Sequence, residues 1–203
     1  MPRITQAQKE LNREKIVRAA SEGFKRRGVD GLGIQDLMHA AGMTNGGFYN
    51  HFASKDDLAL EVYQQGFAQS LAVVSELREA SPDAPQVALD AMIDTYVTAA
   101  HRDHPETGCP SAALPVDAGR HGIDPQTAYR DGLEGYFRNI TDLLLQRAPD
   151  AGARLTSVDA REQAVALFSQ MVGALVVSRA VAEADPSLSD EILAANNHRL
   201  HRE

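Results

Sequence analysis

A single cysteine, Cys109, stands among 203 residues, so no disulfide can form within the chain. That scarcity points to a reducing, cytoplasmic setting. No apolar run approaches the ~18 residues that span a bilayer, so no membrane partner is expected. The opening residues carry charge but no apolar stretch, and no secretory leader is expected there. Period-2 alternation of β-branched residues is not sustained anywhere, which excludes a sheet-based fold. There is no Gly-rich phosphate loop, no nucleophile elbow and no His-Glu metalloprotease motif, so catalysis finds no footing and no cofactor is implied. Lysine is rare and segregated: Lys9, Lys15, Lys25 and Lys55 are the only four, all in the first 55 residues.

Apolar residues make up 43% of the chain and charged residues 24%, ordinary values for a folded protein long enough to bury a core. The net charge of −8 is uneven. Residues 1–55 hold nine Lys/Arg against five Asp/Glu, whereas residues 56–203 hold eleven Arg against twenty-three Asp/Glu. Such asymmetry suggests a small module for a polyanion joined to a larger acidic body, although charge also serves solubility.

Proline and glycine punctuation predicts an all-α chain of about nine helices. The first covers about 6–27, with Thr5 and Gln8 as a capping box and a stripe of Ile16, Ala20 and Phe24 beside Ala19 and Gly23. Gly28 is placed to end it in the left-handed conformation. Short helices follow over about 34–41 and 45–51, the latter with Thr44 as N-cap. Ser54 caps a long helix to about Ala80, with Asp56 and Asp57 in its first turn. Further helices are expected over about 85–102, from Pro110 to near Gly119, over 125–147 until Pro149 and Gly152, from near Asp159 to Ala184, and from a Ser187 or Ser189 cap onward.

Between Ala164 and Ala182 the polar residues are only Ser169, Gln170, Ser178 and Arg179. A helix apolar nearly all round is buried on more than one side. Either it is the central helix of a monomeric bundle, or its second face meets another copy, which Gly173, Ala174 and Ser178 would let approach near Leu175. The dimer is the favoured reading.

Residues 33–55 read Gly-Ile-Gln-Asp-Leu-Met-His-Ala-Ala-Gly-Met-Thr-Asn-Gly-Gly-Phe-Tyr-Asn-His-Phe-Ala-Ser-Lys. Two short helices joined at Gly42 form a helix-turn-helix. Ile34, Leu37, Met38 and Ala41 point inward, and Met43, Phe48 and Phe52 hold the second helix on its neighbours. Thr44, Asn45, Gly47, Tyr49, Asn50 and His51 are left facing outward, able to bond base edges and phosphates.

This stretch resembles the N-terminal DNA-binding domain of the TetR/AcrR family of bacterial transcriptional regulators. The match lies at Ile34, Ala41, Gly42, Gly46, Tyr49, His51, Phe52, Lys55 and Leu58, with Met43, Thr44 and Phe48 keeping the chemistry of the family's Val, Ser and Leu. Gly33 stands where many relatives have a Ser or Thr cap. The resemblance implies a three-helix DNA-binding domain over 1–54 and a helical effector-binding and dimerisation domain over 55–203. It implies that Thr44 reaches a phosphate, that Tyr49 and His51 clamp the backbone and that Lys55 binds a phosphate. Asn45 and Asn50 are candidates to read bases, and Gly46 and Gly47 permit close approach. The 45–51 helix has no Arg or Lys, so an Arg–guanine contact cannot come from it; Arg3, Lys9 and Arg13 could add charge along the duplex. Tyr49 could instead be a packing residue, and His51 could serve a local hydrogen bond.

In relatives an effector pocket lies among the helices of the second domain. Met92, Tyr96, Tyr129, Tyr136, Phe137, Phe168 and Met171 suit an apolar ligand, though for each, taken singly, plain core is the simpler reading. Cys109 opens the Pro110 helix in a Gly-Cys-Pro segment similar to one subset of such regulators, in which nearby cysteines sense electrophiles or oxidants. A thiol at a helix start can be activated, or it can simply pack beside the pocket. His101 and His104, with Cys109 or His121, and His198 with His201, have spacings compatible with zinc, but no second cysteine supports a metal. The expectation is therefore a dimeric, ligand-responsive DNA-binding regulator, most simply a repressor on a palindromic operator. The alternatives are a thiol switch through Cys109, and an enzyme or carrier with an inactive helix-turn-helix.

Overall fold

The computed structural model describes residues 5–147 and 155–202 and is helical, with no strand among those residues. Arg3, Pro149 and Gly152, named above, lie outside the described residues. The chain forms two compact units: Met1–Phe67 with Pro105–Arg130, and Ala68–His104 with Asp131–Glu203.

In the first unit, α1 (Gln6–Arg27) begins as its cap residue dictates: Thr5 Oγ accepts the Gln8 amide at 3.2 Å. Only half of the capping box forms, because the Gln8 side chain donates forward to Asn12 Oδ1 at 3.0 Å. Ile16, Val17, Ala20 and Phe24 bury one face. Gly28 ends the helix with φ 76° and ψ 164°, an extended conformation open to glycine rather than the left-handed turn expected. Next, α2 (Ile34–Ala40) buries Leu37 and Met38, and the chain reverses at Gly42 with φ 73°.

The following segment departs from expectation. Asn45–Asn50 is a 3₁₀ helix, not an α-helix. Asn45, Gly46 and Gly47 are weak helix formers, and the Gly47 amide bonds the Thr44 carbonyl at 3.0 Å, the tighter i to i+3 pattern. That bond takes the amide a capping hydroxyl would have used, and the Thr44 side chain makes no cap bond. In α3 (Lys55–Ala80) the capping is reciprocal: Ser54 Oγ accepts from the Asp57 amide at 3.0 Å, and Asp57 Oδ2 accepts from the Ser54 amide at 3.1 Å.

The rest of this unit comprises Pro105–Arg130. Within it α6 (Pro110–Ala113) and α7 (Pro115–Ala118) are each one turn, separated by Leu114 because Pro115 cannot continue a helix. Polar ties hold them to the other helices. Tyr63 Oη donates to the Leu114 carbonyl at 3.3 Å and Tyr129 Oη to the Ser111 carbonyl at 2.9 Å, and burial pushes both phenols above their usual range. Arg26 pairs with Glu106 at 2.9 Å, and His121 Nδ1 lies 3.0 Å from Asp56.

In the second unit the helix expected over 85–102 is broken. α4 (Pro85–Tyr96) and α5 (Ala99–Asp103) are separated by Val97 and Thr98, with Thr98 extended and its hydroxyl capping α5 through the His101 amide at 3.1 Å. Arg179 secures the far end of α5: its guanidinium donates to the carbonyls of Arg102 and His101 at 2.9 and 3.0 Å, among the last carbonyls of the short helix.

α8 (Ile123–Gln146) begins in the first unit and contributes residues from Asp131 onward to the second. α9 (Ser157–Val181) is capped by Thr156, and α10 (Pro186–Leu200) packs on it. The cap of α10 is Asp185, which accepts the Leu188 amide at 3.0 Å. Ser189, a candidate for that role, is buried and donates to the Ser178 carbonyl at 2.8 Å. His201 sits between Asp90 (3.2 Å) and Asp94 (2.8 Å); its pKa is raised, chiefly by the hydrogen bond to Asp94. Splitting of the expected helices gives ten α-helices and one 3₁₀ helix among the described residues.

By length and composition α9 could cross a membrane, against the expectation that no such run exists, but one side forms core. Ala174, Leu175 and Ser178 lie on that inner side, so they are not the surface a second copy would approach. The outer side carries Val165, Val176 and Val177, and nothing lies within 4 Å of a Cβ built on Gly173.

Candidate nucleic-acid interface

The 3₁₀ helix is anchored by few groups. Phe48 is fully buried and Phe52 nearly so, their rings 5.8 Å apart. Because these two aromatics face inward, most of the intervening and preceding side chains face solvent. Thr44, Asn45, Gly46, Tyr49 and Asn50 are exposed, whereas Gly47, His51 and Lys55 are half-buried. Tyr49 is 69% exposed, which removes the alternative of a packing residue; its ring forms a T-shaped pair with Phe48, the centres 5.2 Å apart. No atom lies within 4 Å of a Cβ built on Gly46, while one on Gly47 would touch Met38 Cε at 3.4 Å.

His51 Nδ1 is buried without a hydrogen-bond partner, so the alternative of a local structural bond through that atom is not realised. Its pKa is lowered by burial first and then by the charges of Lys9 and Arg13, so the ring is neutral at pH 7. Lys55 Nζ lies 5.9 Å from the centre of the Phe24 ring. Arg13, read from the sequence as supplementary charge along a duplex, is engaged within the protein. Its guanidinium donates to the His51 carbonyl and to Glu61 Oε2, and stacks 4.1 Å from the centre of the Phe52 ring. No local motif announces these contacts, because their partners lie 38 to 48 residues away.

The effector candidates fall into two groups. Tyr96, Tyr136, Phe137 and Phe168 cluster in the second unit, Tyr136 stacking on Phe168 at 4.1 Å, and Met92 and Met171 are buried in the same unit. Cys109 and Tyr129 belong to the first unit, where Ser111 Oγ donates to Cys109 Sγ at 2.9 Å. Tyr129 meets Phe67 and Tyr63 edge-on, at 5.4 and 6.0 Å. Burial lowers the pKa of Lys25. No group of three His, Cys, Asp or Glu side chains among the described residues could hold a metal ion. His101 Nδ1 instead meets the Tyr96 carbonyl at 2.9 Å.

An all-helical chain with an N-terminal helix-turn-helix and a larger helical body defines a class of DNA-binding proteins. Residues 16–62 match the family model for bacterial regulatory proteins of the tetR family. The transcriptional repressor DhaR of Mycobacterium sp. strain GP1 is 34% identical over 67 residues, covering 33% of this chain and 34% of that protein. The chain thus spans about a third of the length of the first curated relatives it matches. An HTH-type regulator of Mycobacterium tuberculosis is 27% identical over 172 residues, 82% of this chain and 84% of that one. Among solved structures, regulatory protein TetR from Rhodobacter sphaeroides superposes with a TM-score of 0.77 at 20% identity, covering 95% of this chain and 98% of that chain. Residues 16–62 thus match the DNA-binding segment of tetR-family regulators, and the chain as a whole shares their fold.

Proposed function

We propose that the chain binds duplex operator DNA as a homodimer in the cytoplasm and acts as a repressor released by a small-molecule effector. The observation that carries this reading is the exposed set Asn45, Tyr49 and Asn50 on a short helix whose anchors, Phe48 and Phe52, are buried. Asn45 and Asn50 read base edges. Thr44, Tyr49, His51 and Lys55 hold phosphates, and Gly46 and Gly47 let the backbone come close. By role, residues 1–54 read DNA, and residues 55–203 bind the effector and the second copy. DhaR, named a repressor, supports the sign of regulation.

The apolar outer face of α9, with Val165, Val176 and Val177, is the surface a second copy would cover. Met92, Tyr96, Tyr136, Phe137, Phe168 and Met171 are effector candidates in one unit, Cys109 and Tyr129 in the other. Burial of Cys109 favours a non-covalent effector over a thiol switch. Selection of bound duplexes from a random pool, followed by anisotropy titration at several salt concentrations, tests the reading. A pseudo-palindromic consensus and a steep salt dependence are expected; failure to enrich any sequence would overturn it.

A further inference from the structure

The 3₁₀ helix has little of its own to hold it. Two glycines lie in its first three positions, its Thr44 cap makes no side-chain bond, and its only fully buried side chain is Phe48. Recognition of base edges needs side chains held to fractions of an ångström, so rigidity has to come from outside the segment. One side chain provides contacts from three directions. The Arg13 guanidinium, on α1, donates through Nη1 to the carbonyl of His51, the residue that ends the 3₁₀ helix. Through Nη2 it donates to Glu61 on α3, and its face lies on the ring of Phe52. A planar fork can satisfy a carbonyl, a carboxylate and an aromatic face together, whereas a lysine ammonium is a point donor with no face to stack.

We propose that Arg13 is a positioning residue for sequence recognition: it fixes the end of the 3₁₀ helix against α1 and α3, and discrimination between operator and other DNA depends on it without its touching DNA. This rests on the DNA-binding reading above. The competing role, one more phosphate contact, has a different signature. Removing a phosphate contact weakens binding to every duplex alike and lowers the salt slope by about one. Removing a positioning residue weakens only the operator complex.

The test uses the full chain and an operator selected from a random pool. Wild type, Arg13→Ala, Arg13→Lys and Glu61→Gln are titrated against operator and unrelated duplex across salt concentrations. Amide hydrogen exchange of residues 47–52 is followed without DNA. Arg13→Ala is expected to lower the operator-to-unrelated affinity ratio on the order of tenfold, as for one lost base contact, with unrelated-duplex affinity and salt slope unchanged. Arg13→Lys should fail to restore the ratio, and exchange at 47–52 should accelerate in both variants. Equal losses on both duplexes with a reduced slope, or unchanged exchange, would overturn the proposal. If Arg13→Ala does not fold, Glu61→Gln, which leaves Arg13 in place, decides: a reduced ratio supports positioning and an unchanged ratio overturns it. If wild type itself does not discriminate, the DNA-binding reading falls and the recognition role with it, while exchange still reports whether Arg13 holds the segment.

Discussion

The carboxylate of Asp117, on α7, accepts the backbone N–H of Val29 at 2.7 Å. Val29 is the second residue beyond the end of α1 and is fully buried, so its amide has no access to water. A Cβ on neighbouring Gly28 would meet the same carboxylate at 3.0 Å, at a positive φ that L side chains avoid. A buried donor left unsatisfied costs about 1–3 kcal/mol. Asp117→Ala is therefore expected to lower stability by about that amount, measured by urea unfolding. Asp117→Asn, which retains an oxygen acceptor, should cost much less. Equal losses in the two variants would mean that charge, not acceptance of the Val29 amide, is what matters.

Local signals were legible and distant ones were not. Thr5, Ser54 and Gly42 act within three or four residues, and their roles follow from sequence alone. The exposure of Thr44, Asn45, Tyr49 and Asn50 was readable because Phe48 and Phe52 mark the inner side, whereas Gly47 and His51, also read as outward, are half-buried. The 3₁₀ geometry was not, since the outward pattern over six residues suits either helix. The tie of Arg179 to the end of α5 spans 77 and 78 residues, and that of Arg13 to His51 and Glu61 spans 38 and 48; neither has a local pattern. The orientation of α9 was read in reverse at Leu175, because a helix apolar nearly all round shows no period from which to choose a face.

Charge and base reading should separate. Lys55→Ala is expected to weaken operator and unrelated duplex alike and to lower the salt slope by about one. Asn45→Ala should lower operator affinity by about 1–3 kcal/mol and relax preference at one base pair. Thr44→Ala should leave stability nearly unchanged, since its hydroxyl caps nothing. Anisotropy titration and thermal unfolding check all three. Unchanged operator binding by both Lys55→Ala and Asn45→Ala would remove this docking.

Two neighbouring residues of α9 should behave oppositely. Val177 is 53% exposed, whereas Leu175 is fully buried in its own unit. Val177→Arg is expected to give folded monomers, because the charge is tolerated in water but not under a second copy. Leu175→Arg should instead destabilise the chain itself, by burying a charge without a partner. Sedimentation and circular dichroism distinguish the outcomes. A stable Val177→Arg dimer would take the outer face of α9 out of the interface.

The thiol provides the sharpest test of the proposed release by a non-covalent effector. One cysteine per chain excludes an internal disulfide, so a switch at Cys109 requires alkylation, oxidation to sulfenic acid, a mixed disulfide or a bridge between subunits. Alkylation by an α,β-unsaturated carbonyl, for instance, forms a carbon–sulfur bond from the thiolate, and the resulting enolate takes its proton from water. Such attack needs an accessible thiolate, and the Cys109 side chain is buried, with its sulfur accepting a hydrogen bond from Ser111. Cys109→Ser keeps nearly the same size and removes the reactivity. It is expected to bind operator like wild type, to respond equally to the natural effector, and to differ little from wild type when a small electrophile is added. Operator binding by both proteins, with and without electrophile at non-denaturing doses, is the measurement. Release by the electrophile in wild type alone would establish the thiol as the trigger and overturn the non-covalent reading.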